Sequence, residues 1–168
     1  MKKIILVLAA CLFSISMHAQ GWAIGGRAGA TVQFDAQYHW SRTYLEGRFG
    51  AGFCNHHGTV TADFSAMFNW KLCNWSDWTP NAGNWFLDAG VGINVGGREN
   101  YAYVGPAGII KFGIQFTGGA KPVSLSLDWN PAFGAGIGYY HDRWGNYSNA
   151  AFNEMGLANI GITCVVHL

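Results

Sequence analysis

From Trp22 to Phe34 the chain alternates. Trp22, Ile24, Gly26, Ala28, Ala30, Val32 and Phe34 share one face, and Arg27, Thr31 and Gln33 share the other. A period of two is the period of a β-strand, whose successive side chains point to opposite sides. The second segment sets Leu45, Phe49, Ala51 and Phe53 against Tyr44, Glu46 and Arg48, and the third sets Val60, Phe64, Phe68 and Trp70 against Asp63, Ser65, Asn69 and Lys71. A fourth runs from Trp85 to Val95 with Asp88 and Asn94 on its polar side, and a fifth from Val104 to Phe116 with Lys111 and Gln115. The sixth, Val123 to Trp129, carries Ser124, Ser126 and Asp128 and stops at the turn signal Asn130-Pro131; a short seventh covers Phe133 to Tyr139. The eighth runs from Phe152 to Leu168, with Asn159, Thr163 and His167 on its polar side. The pattern predicts eight antiparallel strands.

Alternation is shared by sandwiches, soluble barrels and membrane barrels. The placement of charge separates them. Eight charged residues, Arg27, Glu46, Arg48, Asp63, Lys71, Asp88, Lys111 and Asp128, sit on polar strand faces, and the opposite faces form a nearly unbroken apolar belt. Glycine crowds the polar faces, which suits a narrow filled lumen better than a solvated surface. The polar face is therefore expected to point inward and the apolar face toward lipid, in an all-β, eight-stranded antiparallel up-and-down transmembrane β-barrel. Trp22, Phe53, Trp129 and Phe133 are placed at one end of the strands and Phe34, Trp70, Trp85, Phe116, Tyr139 and Phe152 at the other, as two aromatic girdles. The connections 35–42, 73–84, 117–122 and 140–151 are mostly longer than 54–59, 96–103 and 130–132, and are expected to be extracellular.

Composition agrees with a membrane protein. Charged residues make up 11% of the chain, against roughly 25% in a soluble domain. Met1-Lys2-Lys3, the apolar stretch Ile4 to Ile15 and the small residue Ala19 read as a secretory signal peptide over residues 1–19, leaving one barrel domain over 20–168. A lipoprotein cut before Cys11 would leave only seven apolar residues ahead of it. The mature charge, 8 basic against 9 acidic residues once Lys2 and Lys3 are removed, offers no footprint for nucleic acid. Cys54, Cys73 and Cys164 are an odd set, and Cys54 and Cys73 fall at opposite ends of a hairpin, so no disulfide framework is implied.

Several segments carry a resemblance: the Ala19-Gln20 junction, Asp77-Trp78-Thr79-Pro80 before the Trp85 strand, Ser124 to Pro131, and Gly156 to Cys164. On these the chain resembles the small outer-membrane β-barrel proteins of Bacteroides-like bacteria, and the eight-stranded barrels OmpA and OmpX in architecture. The resemblance implies integral residence in the cell outer membrane, with outer-membrane lipid, lipopolysaccharide and the barrel-insertion machinery as partners. It brings no catalytic residues. The chain ends in Leu168 where such barrels commonly end in an aromatic residue.

The candidate chemistry is mostly structural. Four cations and four anions on one face are expected to form a lumen plug, because buried charges must be paired and hydrogen-bonded. His56-His57 point apart on an extended chain and lack further ligands at metal spacing. His39 is placed in the first long loop, where it could meet His141 and Asp142 at the extracellular rim. No serine, histidine and acid converge at matched depth, and Gly96-Gly97-Arg98 precedes no helix, so no cofactor or metal is expected. The leading expectation is a non-enzymatic outer-membrane protein with a role in envelope structure or surface-loop interaction. The alternatives are a narrow porin-like channel and an outer-membrane lipid-modifying enzyme.

Overall fold

Strands with one apolar and one polar face bury the polar face here by closing on themselves. The structure, a computed structural model, describes residues 21–29, 31–54, 59–78, 83–98, 101–142, 145–154 and 158–168. The signal segment, His56 and His57 lie outside the described residues. The strands are β1 (Trp22–Ala28), β2 (Val32–Trp40), β3 (Thr43–Cys54), β4 (Thr59–Trp75), β5 (Gly83–Arg98), β6 (Tyr101–Phe116), β7 (Val123–Trp129), β8 (Phe133–Asp142), β9 (Gly145–Glu154) and β10 (Ile160–His167). Consecutive strands β1 to β7 pair as an antiparallel meander, and β10 pairs with both β7 and β1, closing the wall.

Ten segments make eight strands of one wall, because two pairs of them follow each other along a shared neighbour. Against β6 the register runs Ile110↔Trp129, Ala107↔Ala132, Val104↔Ala135, so β7 and β8 are one strand that passes straight through Asn130-Pro131. β9 and β10 likewise follow each other along the same neighbour. The sequence-based count of eight is met with different strands. Residues 22–34 form a hairpin, β1 and β2, rather than one strand, and residues 35–40 are strand rather than loop. Conversely, the chain does not reverse at the predicted turn Asn130-Pro131: β7 ends at Trp129, Ala132 bridges Ala107, and β8 resumes at Phe133 along the same neighbour. Proline lacks a donor, and the local substitutes are a bond from Gly108 N to the Pro131 carbonyl oxygen at 2.9 Å and one from Asn130 Nδ2 to the Gly108 carbonyl oxygen at 2.6 Å.

A ladder leaving β10 at Cys164 passes Gly26, Phe34, Phe49, Phe64, Val95, Val104 and Ala135 and reaches β9 at Phe152, twelve residues back along the same strand. Such a stagger tilts the strands and sets a narrow bore. Gly21, Leu168 and the connections 41–42, 76–82 and 117–122 share one end, here called proximal. The strands flanking 29–31, 55–58, 99–100 and 143–144 meet at the distal end. The four connections expected to be extracellular therefore do not share an end: 140–151 lies opposite the other three. The aromatic ends shift too. Trp22 lies with Trp70, Trp85 and Phe116 in the proximal half, and ring contacts run from it through Tyr38, Trp40 and Phe68 to Trp70. Phe34 lies in the distal half beside Phe49 and Phe64, and Trp129 sits within the continuous β7–β8 run rather than at its end. The Tyr139 side chain lies outside the described residues.

Where β6 meets β8 the backbones nearly touch. A Cβ at Gly105 would fall 1.9 Å from the Phe133 carbonyl oxygen and 2.3 Å from Gly134 Cα. Gly108, three residues on, has nothing nearer than 3.6 Å. Gly105→Ala should therefore cost about 1–3 kcal/mol through forced strand separation, while Gly108→Ala should stay within about 0.5 kcal/mol. Urea midpoints of the two refolded variants check this; equal midpoints would contradict the close approach.

Candidate functional site: the barrel lumen

The inward rows of the ladder decide which charges meet. Across β4, β5, β6 and β7 the register opposes Lys71 to Asp88, Asp88 to Lys111 and Lys111 to Asp128, alternating sign from strand to strand. One row over, Asp35 opposes Arg48. These residues come from strands far apart in sequence, and only closure of the wall brings them within bonding distance.

Arg48 is the hub. Its Nε donates to Glu46 Oε1 at 2.7 Å and lies 3.4 Å from Asp35 Oδ2, an ion-pair distance without hydrogen-bond geometry, while Nη2 donates to Asp128 Oδ2 at 3.4 Å. Glu46 also accepts from Lys111 Nζ at 2.7 Å and Asn69 Nδ2 at 2.9 Å. Asp128 accepts from Arg27 Nε at 2.6 Å and from the Thr163 hydroxyl. Gln33 Nε2 donates to Asp63, and the Tyr44 hydroxyl to Asp88 Oδ2 at 3.0 Å. Arg27 reaches Asp128 because glycine makes room: a Cβ at Gly161 would fall 2.6 Å from its guanidinium carbon.

Seven of the eight charges assigned to the lumen, Arg27, Glu46, Arg48, Asp63, Asp88, Lys111 and Asp128, are buried there. Lys71 is not. It is exposed at the proximal mouth, its Nζ donating to the Ser41 carbonyl oxygen at 3.3 Å. Asp35, expected in a loop, is fully buried instead, because residues 32–40 are strand and their alternation continues. The balance of four against four becomes three buried cations against five buried carboxyl groups among the described residues. Asp35 Oδ1 and Oδ2, Asp63 Oδ1, Asp88 Oδ1 and Arg48 Nη1 are buried without a hydrogen-bond partner.

Proximal to this charge network the lumen holds a cavity of about 90 Å³, room for several waters. Tyr44, Asp88 and Lys111 form its floor side, and Gln37, His39, Ser124 and His167 line its wall. His39 stacks on Tyr44 with ring centroids 4.5 Å apart and lies 5.2 Å from the His167 ring, which is 2.8 Å from Ser124 Oγ. The expected meeting of His39 with His141 and Asp142 does not occur, since β2 carries His39 to the proximal end and β8 carries the other two to the distal end. Sequence reasoning missed the His39, Ser124 and His167 group. The signal was present in the alternation of Gln33, Asp35, Gln37 and His39 against Val32, Phe34, Tyr38 and Trp40.

Outside, the wall is the reverse. Val32, Phe49 and Val91 are 71%, 62% and 58% exposed, and further apolar side chains surround them. Among the residues whose exposure is described, the exposed charges Arg42, Lys71, Asp77 and Lys121 lie at or beside proximal connections. Trp75, Trp78, Trp85 and Phe112 pack as one aromatic cluster on the same half, with Trp85 stacked on Phe112 at 5.4 Å. Cys73 and Cys164 are free and exposed. The chain matches no protein-family model, no curated protein and no solved structure.

Proposed function

We propose that the chain is a non-enzymatic integral outer-membrane β-barrel whose lumen is plugged by its own charge network, and that it serves envelope structure or surface-loop interaction. The observation that carries this is the inversion of the wall: arginine, glutamate and aspartate at 0% exposure inside, and valine, leucine, isoleucine and phenylalanine exposed outside. Water would favour the opposite arrangement, since apolar surface is driven out of it. Lipid asks for an apolar exterior and for every backbone polar group to be paired, which a closed barrel satisfies. No helix among the described residues is long and apolar enough to cross a membrane.

The plug argues against the narrow channel, because Arg48, Glu46 and Lys111 bridge strands β3 and β6 across the bore.

Refolding residues 20–168 in detergent tests the assignment. A closed barrel should migrate faster unboiled than boiled, and its tryptophan fluorescence should be quenched by brominated lipid after transfer to vesicles. A monomer that is stable and soluble without detergent would end the membrane reading.

A further inference from the structure

Lys71 and Asp88 are directly opposed in the β4–β5 ladder, and both line the proximal cavity. Their side chains do not use this. Lys71 Nζ is turned outward to the Ser41 carbonyl oxygen, an exposed contact to a neutral group at 3.3 Å. Asp88 is 5% exposed, accepts from Tyr44 on Oδ2 and leaves Oδ1 buried with no partner. A buried acceptor left without a donor is costly, and a charged one more so. Lys111, which opposes Asp88 from β6, is committed elsewhere: its ammonium donates to Glu46 at 2.7 Å and lies 5.4 Å from the centre of the Tyr44 ring.

Among the described residues Lys71 is the cation that opposes this seat and is not held by a carboxylate. Opposed side chains in an antiparallel pair have Cβ atoms about 4.5–5.5 Å apart, a gap that the four-carbon stem of lysine crosses by side-chain rotation alone. The register slips between Lys71 and Cys73, and a bulge of this kind bends its strand and re-aims the neighbouring side chain. We propose that Lys71 is a latch on the proximal cavity, with one seat on the Ser41 carbonyl oxygen and a second on Asp88 Oδ1. In the second seat its stem lies across the mouth and separates the cavity from solvent; in the first the cavity is open. The charged acceptor binds an ammonium more strongly than a neutral carbonyl, while seating Lys71 there withdraws its ammonium from water, and these opposing terms hold the two states close enough to exchange.

Acylation of lysine amines by a water-soluble succinimidyl ester reads the latch directly. The refolded full barrel is labelled briefly, and modification at Lys71 is measured by peptide mass spectrometry against the exposed Lys121 in the same molecule. Asp88→Asn removes the charged seat and should raise the Lys71 rate about two- to fivefold, the range expected for a partly exposed ion pair. In the wild type, raising salt to about 0.5 M should raise the Lys71 to Lys121 ratio in the same direction. The salt series needs no variant and decides the matter if Asp88→Asn does not refold. A ratio that stays flat with salt, or a Lys71 rate unchanged in a folded Asp88→Asn barrel, overturns the latch.

Discussion

Val91→Arg is expected to abolish or severely reduce insertion of the barrel into lipid vesicles while leaving the soluble unfolded chain unchanged. Val91 is 58% exposed on β5, paired with Phe68 on one side and Gly108 on the other, well away from both ends of its strand. In water an arginine there would be harmless, since an exposed site accepts charge within about 0.5 kcal/mol. Facing the bilayer midplane it costs about 2–4 kcal/mol, because the guanidinium must drag water or headgroups toward the hydrocarbon. Folded yield in vesicles, read by heat-dependent mobility, separates the two environments. A control at Lys121, which lies in the connection 117–122, should tolerate either charge. Wild-type yield and stability for the Val91 variant would mean that the outer face is not in lipid.

The second large effect is expected inside. Arg48→Met should lower the unfolding free energy in detergent and urea by about 3–5 kcal/mol, the usual result of removing one member of a buried ion cluster. The loss is not the arginine's own contribution alone. Glu46, Asp35 and Asp128 all converge on its guanidinium, and methionine would leave them in a space with only Lys111, Arg27 and neutral donors to answer five carboxyl groups. Arg42→Met, in the exposed β2–β3 turn, removes the same charge and should change stability by at most about 1 kcal/mol. The wild type should carry no steady ion current in planar bilayers, and Arg48→Met should begin to conduct if the plug is what blocks the bore. Equal small effects of the two substitutions, with measurable wild-type conductance, would point to a hydrated lumen and the channel reading.

Most of the interior was legible from residue order alone. The parity of Arg27, Glu46, Arg48, Asp63, Asp88, Lys111 and Asp128 put them on one face, and that face became the lumen. Two charges escaped this logic for opposite reasons. Asp35 was assigned to a loop because its strand was cut short, although the alternation runs on to Trp40. Lys71 has the right parity, but it stands next to a bulge at the mouth, where its long stem reaches solvent and a turn carbonyl. Parity gives the side of the sheet at Cα, and for a lysine at a rim it does not give the place of the ammonium.

The sequence by itself determined the faces, because side-chain direction along a strand is local and depends only on odd or even position. It also determined the closed all-β class, since an apolar face free of charge and a charged face rich in glycine leave few other ways to bury polar side chains. Only the tertiary structure decided where the chain reverses. Ala28 and Val32 both face outward across the 29–31 turn, so the alternation passes through that hairpin without a break and reads as one strand. At Asn130-Pro131 the local chemistry favours a turn, yet β6 supplies partners for both residues through Gly108, and non-local pairing overrides local preference. The same closure chose the partners of Arg48, because which inward charges face each other depends on the stagger around the whole wall, and no segment of the chain carries that quantity alone.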